Sequence, residues 1–286
     1  MNERYKSILV IGHIFPLYDI FGDLEEGNKE KVNYLNPDNL RVLSDEIYKL
    51  ENVEQVVLLG DTYVNDSKSI YELVNNELID KINSPVTKVL GNHEVHNLGK
   101  FRDSGGVEKG FFDINNFRVL FYSPWRLIDG LPKMSVSKKD IEFFNNNLDY
   151  SKNNIVLVTD MVHHNKSDLT EWKSSIVPIL KKFNVKFVVV GDSDLVGHRY
   201  SWVEVDDIKY IHQGIAQNYH FPNINTFLEI QIHEEGGINF IPHTLPFDGL
   251  SEVYESSIVD YIKKPELGFF QKFYRLLIKS YYYIFS

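Results

Sequence analysis

Five short runs in this chain are rich in β-branched and aliphatic residues. Each stops at a side chain that can bind a cation or move a proton. Residues 8–11 end at Gly12-His13, residues 56–59 at Gly60-Asp61, and residues 86–90 at Gly91-Asn92-His93-Glu94. Residues 155–159 end at Asp160, and residues 187–190 at Gly191-Asp192-Ser193-Asp194. Apolar runs of this length predict buried strands. Chemistry in open α/β folds lies just beyond the carboxyl ends of the strands. If these five strands share one sheet, their polar ends converge on one rim. Asp also commonly caps the helix after a strand, and that reading stays open for any single end. Five ends together argue against capping alone.

Helical patterns separate the first three strands. Asn36 and Pro37 read as an N-cap and first helical position, with Leu40, Leu43, Ile47 and Leu50 on one face. A second helix places Ile70, Leu73, Val74 and Leu78 inward and ends before Ser84-Pro85. The alternation predicts a parallel sheet with helices on its faces. Residues 110–114 and 117–121 read as a hairpin turning at Asn115-Asn116. Ser137 and Asp140 have capping-box spacing and open a helix through Leu148. A helix is expected over 167–182. The β-like runs 202–205, 209–211, 227–232 and 238–241 suit an antiparallel layer.

The formal net charge of −10 argues against a nucleic-acid partner, which needs a basic footprint. With no cysteine, zinc–thiolate sites, disulfides and cysteine nucleophiles are excluded. The apolar run at 8–11 is too short for a secretion signal, and no stretch is long enough to span a bilayer, so a cytoplasmic protein is expected.

A strand ending in Gly-Asn-His-Glu, preceded by one ending in Gly-Asp, resembles the calcineurin-like metallophosphoesterases over roughly residues 8–245. The resemblance implies an α/β fold, a four-layer αββα sandwich of mixed β-sheets, and one or two divalent ions. It implies that Asp61 bridges the metals, that Asn92 binds one of them, and that His93 protonates the leaving oxygen of a phosphate-ester substrate. Three segments depart from the family pattern. His13-Ile14-Phe15 stands where Asp-x-His is expected, Asp160 where a lone His is expected, and Gly191-Asp192-Ser193-Asp194 where Gly-His-x-His is expected. One site would then keep Asp61, Asn92, Asp160 and Asp192, and the other His13, Asp61 and Asp194. The first is an all-oxygen set suited to Mn²⁺, Mg²⁺ or Ca²⁺ rather than zinc or iron. The loss of a ligand at Phe15 supports an alternative, a catalytically inactive scaffold or binding protein that kept the fold.

His163 and His164 lie close enough to Asp160 to replace it as ligand after a small loop shift. His198 and Arg199 suit phosphate binding, Arg199 through its bidentate fork; a plain surface loop is the other reading. His96 reads as a neighbour of the site. His212, His220, His233 and His243 read as structural. The expected organisation is a domain over 1–250 and a tail over 251–286. In the tail, Lys272, Arg275 and Lys279 share one helical face, opposite Phe269, Phe270, Phe273, Leu276, Leu277 and Tyr281. That profile suits a membrane surface contacted through 266–286, or a helix docked on protein.

Overall fold

The computed structural model describes residues 4–12, 14, 37–63, 68–160, 162, 170–191, 200–214, 216 and 226–245. The chain divides into two units, Met1–Ser251 and Glu252–Ser286. The expected amphipathic tail lies outside the described residues, as do the Asn36 cap, His13, His163, His164, Asp192, Asp194, His198, Arg199 and His220.

Strand β1 (Tyr5–Ile11) precedes helix α1 (Pro37–Tyr48), β2 (Val53–Leu59), α2 (Lys68–Glu77) and β3 (Val86–Val89). Next come α3 (Leu98–Asp103), β4 (Gly106–Val107), β5 (Lys109–Ile114) and β6 (Phe117–Tyr122). A small hairpin, β7 (Trp125–Ile128) and β8 (Leu131–Met134), leads to α4 (Lys138–Asn147) and β9 (Asn153–Val158). Helix α5 (Val177–Lys182), β10 (Phe187–Val190), β11 (Tyr200–Val205), β12 (Ile208–Gln213), β13 (Thr226–His233) and β14 (Ile238–Thr244) complete the order.

The strands form two six-stranded mixed sheets, ordered β14-β13-β1-β2-β3-β4 and β11-β12-β10-β9-β6-β5. β1 to β4 run parallel, with β13 antiparallel to β1 and β14 antiparallel to β13. In the second sheet β6, β9, β10 and β12 run parallel, flanked by antiparallel β5 and β11. The five strands read from the sequence therefore do not share one sheet. β1, β2 and β3 belong to the first, β9 and β10 to the second. The four later β-runs do not form one antiparallel layer either. β11 and β12 extend the second sheet, and β13 and β14 extend the first.

Side-chain alternation explains how the sheets stack. Leu9, Ile11, Val56 and Leu58 point to one side and pack with Leu40, Leu43 and Ile47 of α1 and Ile70 and Val74 of α2. Their neighbours Ile8, Val10, Val57 and Leu59 point the other way, against Val119, Phe121, Ile155, Leu157 and Val189 of the second sheet. The far face of that sheet carries Leu120, Tyr122, Val156, Val158 and Val190 against Phe144, Trp172, Ile176 and Leu180. Three apolar interfaces thus bind four layers, helix–sheet–sheet–helix. A period of two, apolar on both sides, is what a strand buried on both faces requires.

Ser137 caps α4 as expected, its hydroxyl accepting from the Asp140 N–H while the Asp140 carboxylate accepts from the Ser137 N–H. The helix expected over 167–182 is not uniform. A π turn spans Trp172–Ile176, and the Val177 N–H donates to the Trp172 carbonyl five residues back. Pro178, in the first turn of α5, has no N–H for the ordinary four-residue bond, and a wider turn accommodates that loss. The β7–β8 hairpin was not anticipated, although Asp129-Gly130 carries its signature. Both residues have positive φ, 54° and 77°, as the two-residue turn of a twisted hairpin needs. No helix among the described residues is long and apolar enough to cross a membrane.

Candidate metal centre

The carboxyl ends of β1, β2, β3, β9 and β10 meet where the two sheets come together, and glycine makes the meeting possible. A Cβ on Gly12 would overlap the Gln213 amide and lie 3.1 Å from the Gly191 carbonyl oxygen. One on Gly60 would lie 3.0 Å from Thr159 Cβ and 3.5 Å from Gly91 Cα. One on Gly191 would lie 2.5 Å from the Leu59 carbonyl oxygen and 3.0 Å from that of Thr159. Gly12, Gly60, Gly91 and Gly191 therefore interlock, and with Thr159 they bring five strand ends onto one rim. The expected convergence is present, built across two sheets instead of within one.

Asp61 leaves Gly60 with φ of 51° and is buried. The left-handed region costs an L-residue roughly 1–2 kcal/mol, less for Asp, whose short polar side chain bonds locally. The His93 N–H donates to Asp61 Oδ1 at 3.1 Å. The Asn92 side chain reaches the same carboxylate. Its terminal nitrogen donates to Asp61 Oδ2 at 2.7 Å and to Oδ1 at 3.0 Å in the orientation that satisfies both groups. Asp160 follows Thr159 on the same rim and is half-buried.

Glu94 holds this geometry from behind, a role not read from the sequence. It is buried, with Oε1 accepting the Tyr63 N–H at 2.9 Å and Oε2 the Gly91 N–H at 2.9 Å. One carboxyl thereby ties the loop after β2, which carries Asp61, to the loop after β3, which carries Asn92. Burial, and then the neighbouring Asp61 carboxylate, push the Glu94 carboxyl well above the usual range. Tyr63 anchors the first loop further, donating its hydroxyl to Asn75 Oδ1 at 2.9 Å and stacking on Tyr71 with ring centroids 3.8 Å apart. Lys88 reaches the same hydroxyl at 3.3 Å, and burial lowers the pKa of its ammonium.

The donor set fits a hard divalent cation. The side chains of Asp61 and Asn92 converge, and three buried polar atoms on the same strand ends, Thr62 Oγ1, Thr159 Oγ1 and Gln213 Oε1, have no hydrogen-bond partner among the described residues. Such atoms are rare in a folded interior, where a side chain, a water or an ion ordinarily meets them. Gln213 was not singled out from the sequence; it lies directly against Gly12 at the end of β12, and only the topology brings it there. No group of three His, Asp or Glu side chains that could hold a metal ion stands together among the described residues; His13, Asp192 and Asp194 lie outside them.

The other described histidines are placed as follows. His96 belongs to the short turn Glu94–Asn97. His212 is buried on β12. His233 bonds Asn239 at 2.9 Å, and His243 bonds Glu229 Oε2 at 2.8 Å.

A family model described as calcineurin-like phosphoesterase matches residues 18–194. No curated protein matches the sequence. Among solved structures, the purple acid phosphatase PPD1 of yellow lupin (Lupinus luteus) seeds is similar with a TM-score of 0.55 at 14% identity, over 85% of this chain and 52% of that one. This chain therefore spans about half the length of that structure. GAP50, the anchor in the inner membrane complex of Plasmodium, is similar with a TM-score of 0.50 at 14% identity, over 86% of this chain and 90% of that one. Identities this low show a shared fold.

Proposed function

Because the chain belongs to the calcineurin-like phosphoesterase family, we propose that it is a metal-dependent phosphoric-ester hydrolase with an oxygen-rich site. The observation that carries this reading is the convergence of Asn92 and the His93 backbone on the Asp61 carboxylate. Asp61, Asn92 and Asp160, with Asp192, Asp194 and His13 from the segments outside the described residues, would hold one or two Mn²⁺ or Mg²⁺ ions. When bound, such ions polarise the phosphoryl group and make water a competent nucleophile near neutral pH. Asp61 fixes the His93 backbone, and so sets where its imidazole begins. His93 donates the proton that the leaving oxygen requires. His198 and Arg199 orient the phosphate. Residues 266–286 place the protein at a membrane surface from the cytoplasmic side, and the acidic net charge keeps nucleic acid away.

The test is to strip the protein of metal, titrate Mn²⁺ and Mg²⁺ by calorimetry, and measure turnover of phosphomono- and diesters with the ion that binds. Binding that disappears in Asp61→Ala, with turnover falling about 10²- to 10⁴-fold in His93→Ala, is the expected result. The fall should be smallest for nitrophenyl esters, whose leaving group needs no proton. Unchanged turnover in His93→Ala refutes its role as acid. Phe15, where the family carries a metal ligand, favours a second reading, a scaffold that binds a cation without turnover. GAP50, the anchor in the inner membrane complex of Plasmodium, shares this fold. Tight metal binding with no hydrolysis of any ester would select that reading.

A further inference from the structure

Each candidate set of ligands draws on both sheets. Asp61 and Asn92 follow β2 and β3 of the first sheet, and Asp160 follows β9 of the second. In the sequence His13 follows β1 and Asp192 follows β10, again one from each sheet. The spacing of the ligands therefore depends on how far apart the two sheets stand at the rim. Gln213, the last residue of β12, is buried in that seam. Its Nε2 donates to the Gly191 carbonyl, just past β10, at 3.3 Å. The same nitrogen fills the space where Gly12, just past β1, would carry a Cβ. The amide is thus wedged between strand ends of different sheets. Its main chain is tied to the first sheet as well. The hydroxyl of Thr226, which opens β13, donates to the Gln213 carbonyl at 3.0 Å, and the Ala216 N–H donates to the Gly12 carbonyl at 3.0 Å. An apolar side chain would fill the same space without leaving Oε1 buried and unpartnered among the described residues, so packing alone does not account for an amide here.

We infer that Gln213 is a positioning residue: it spaces the two halves of the centre and so sets which divalent ion the site prefers. The inference rests on the metal-dependent reading of the centre. Mg²⁺ demands near-octahedral geometry with oxygens at about 2.0–2.1 Å, whereas Ca²⁺ accepts irregular shells with oxygens at about 2.3–2.6 Å. A seam held at a fixed width suits the stricter ion. Without the wedge the halves can part by roughly 0.3–0.5 Å, the difference between the two shells. Ca²⁺ tolerates that parting and Mg²⁺ does not.

The experiment titrates Mg²⁺ and Ca²⁺ into the metal-free full chain by calorimetry and follows urea unfolding of the same samples. In Gln213→Ala the Mg²⁺ affinity should fall about 10- to 100-fold, and the Ca²⁺ affinity by a smaller factor. Gln213→Met keeps the volume and removes the donor. It should shift the Mg²⁺-to-Ca²⁺ ratio in the same direction by less, and it carries the test where the alanine variant does not fold. Asn154→Ala is the control. It removes another buried amide, which bonds the Asp149 and Phe183 carbonyls at the opposite end of β9, and should lower the urea midpoint with the ratio unchanged. Equal losses for both ions in the Gln213 variants, or unchanged affinities, overturn the positioning role and leave the centre standing. An equal shift of the ratio in Asn154→Ala does the same. Wild-type protein that binds neither ion overturns the metal centre and this inference with it.

Discussion

Replacing Gly91 with alanine tests whether strand-end packing is what holds Asp61. The added Cβ would sit 2.8 Å from Asp61 Cγ and closer still to its Oδ1 and backbone nitrogen. Carbon atoms rest at about 3.5–4.0 Å, so the Asp61 loop must retreat by at least about 0.7 Å. It cannot do so by rotating a side chain, because the backbone nitrogen is in the way. Gly91 has no positive φ, so the effect is steric and not conformational. Overpacking of this kind costs about 1–3 kcal/mol. The retreat also stretches the Glu94 bonds to Tyr63 and Gly91 and separates Asp61 from Asn92. Metal affinity should fall about 10- to 100-fold, as when groups supporting a ligand are lost. Urea unfolding and calorimetric metal titration read the two effects separately. Gly99→Ala is the control. It lies in α3 with nothing within 4 Å of its added Cβ, and should gain about 0.5–1 kcal/mol from helix propensity. If Gly91→Ala unfolds at the wild-type urea concentration and binds metal equally well, the interlocked glycines do not position the site.

Asp140→Ala should cost about 3 kcal/mol, the lower end for breaking a buried pair. Lys109 at 2.7 Å and Arg126 at 3.0 Å would lose their partner, and Ser137 its capping box. For Asp140, burial works to raise the pKa, but hydrogen bonds from Lys109 and Ser137 and the Arg126 charge outweigh it and hold the carboxyl below its usual range. Its contribution is therefore complete above the ordinary carboxylate pKa of about 4 and is lost as pH falls through the lowered value. Wild-type and variant unfolding curves should converge in acid, and a constant gap down to the acid limit would contradict this. Glu94→Gln keeps shape but turns an NH₂ toward one of two backbone donors, leaving that donor unpaired at a cost of about 1–3 kcal/mol. Hydrogen exchange at Tyr63 and Gly91 should accelerate, and protection equal to wild type would show that Glu94 is not the tie between the loops.

Much of this was legible in the sequence because buried strands write themselves plainly. Residues 8–11, 56–59, 155–159 and 187–190 are apolar on both faces, and the structure buries residues 8–11 and 56–59 completely. The membership of the sheets was not legible. Nothing in the run 155–159 says that it pairs with β6 and not with β3, since pairing is settled by contacts across more than thirty residues of chain. The later runs 227–232 and 238–241 were read as one layer with 202–205 for the same reason. Glu94 was visible as part of Gly-Asn-His-Glu, but its bond to Tyr63 joins two loops that only the fold makes adjacent. Gln213 carried no signal at all. The β7–β8 hairpin had its signal in Asp129-Gly130, masked by flanking strands of four residues each.

The left-handed backbone at Asp61 has a consequence for stability with and without metal. A glycine there would relax the backbone by up to about 1 kcal/mol, but it would lose the bonds that the Asp61 carboxylate accepts from His93 and Asn92. An aspartate keeps the tension and adds a buried negative charge beside Glu94. The backbone cost is thus accepted at a position where the carboxylate ties two loops together. If a divalent ion binds there as proposed, it adds to that tie, so the metal-free protein should unfold at a lower urea concentration than the loaded one.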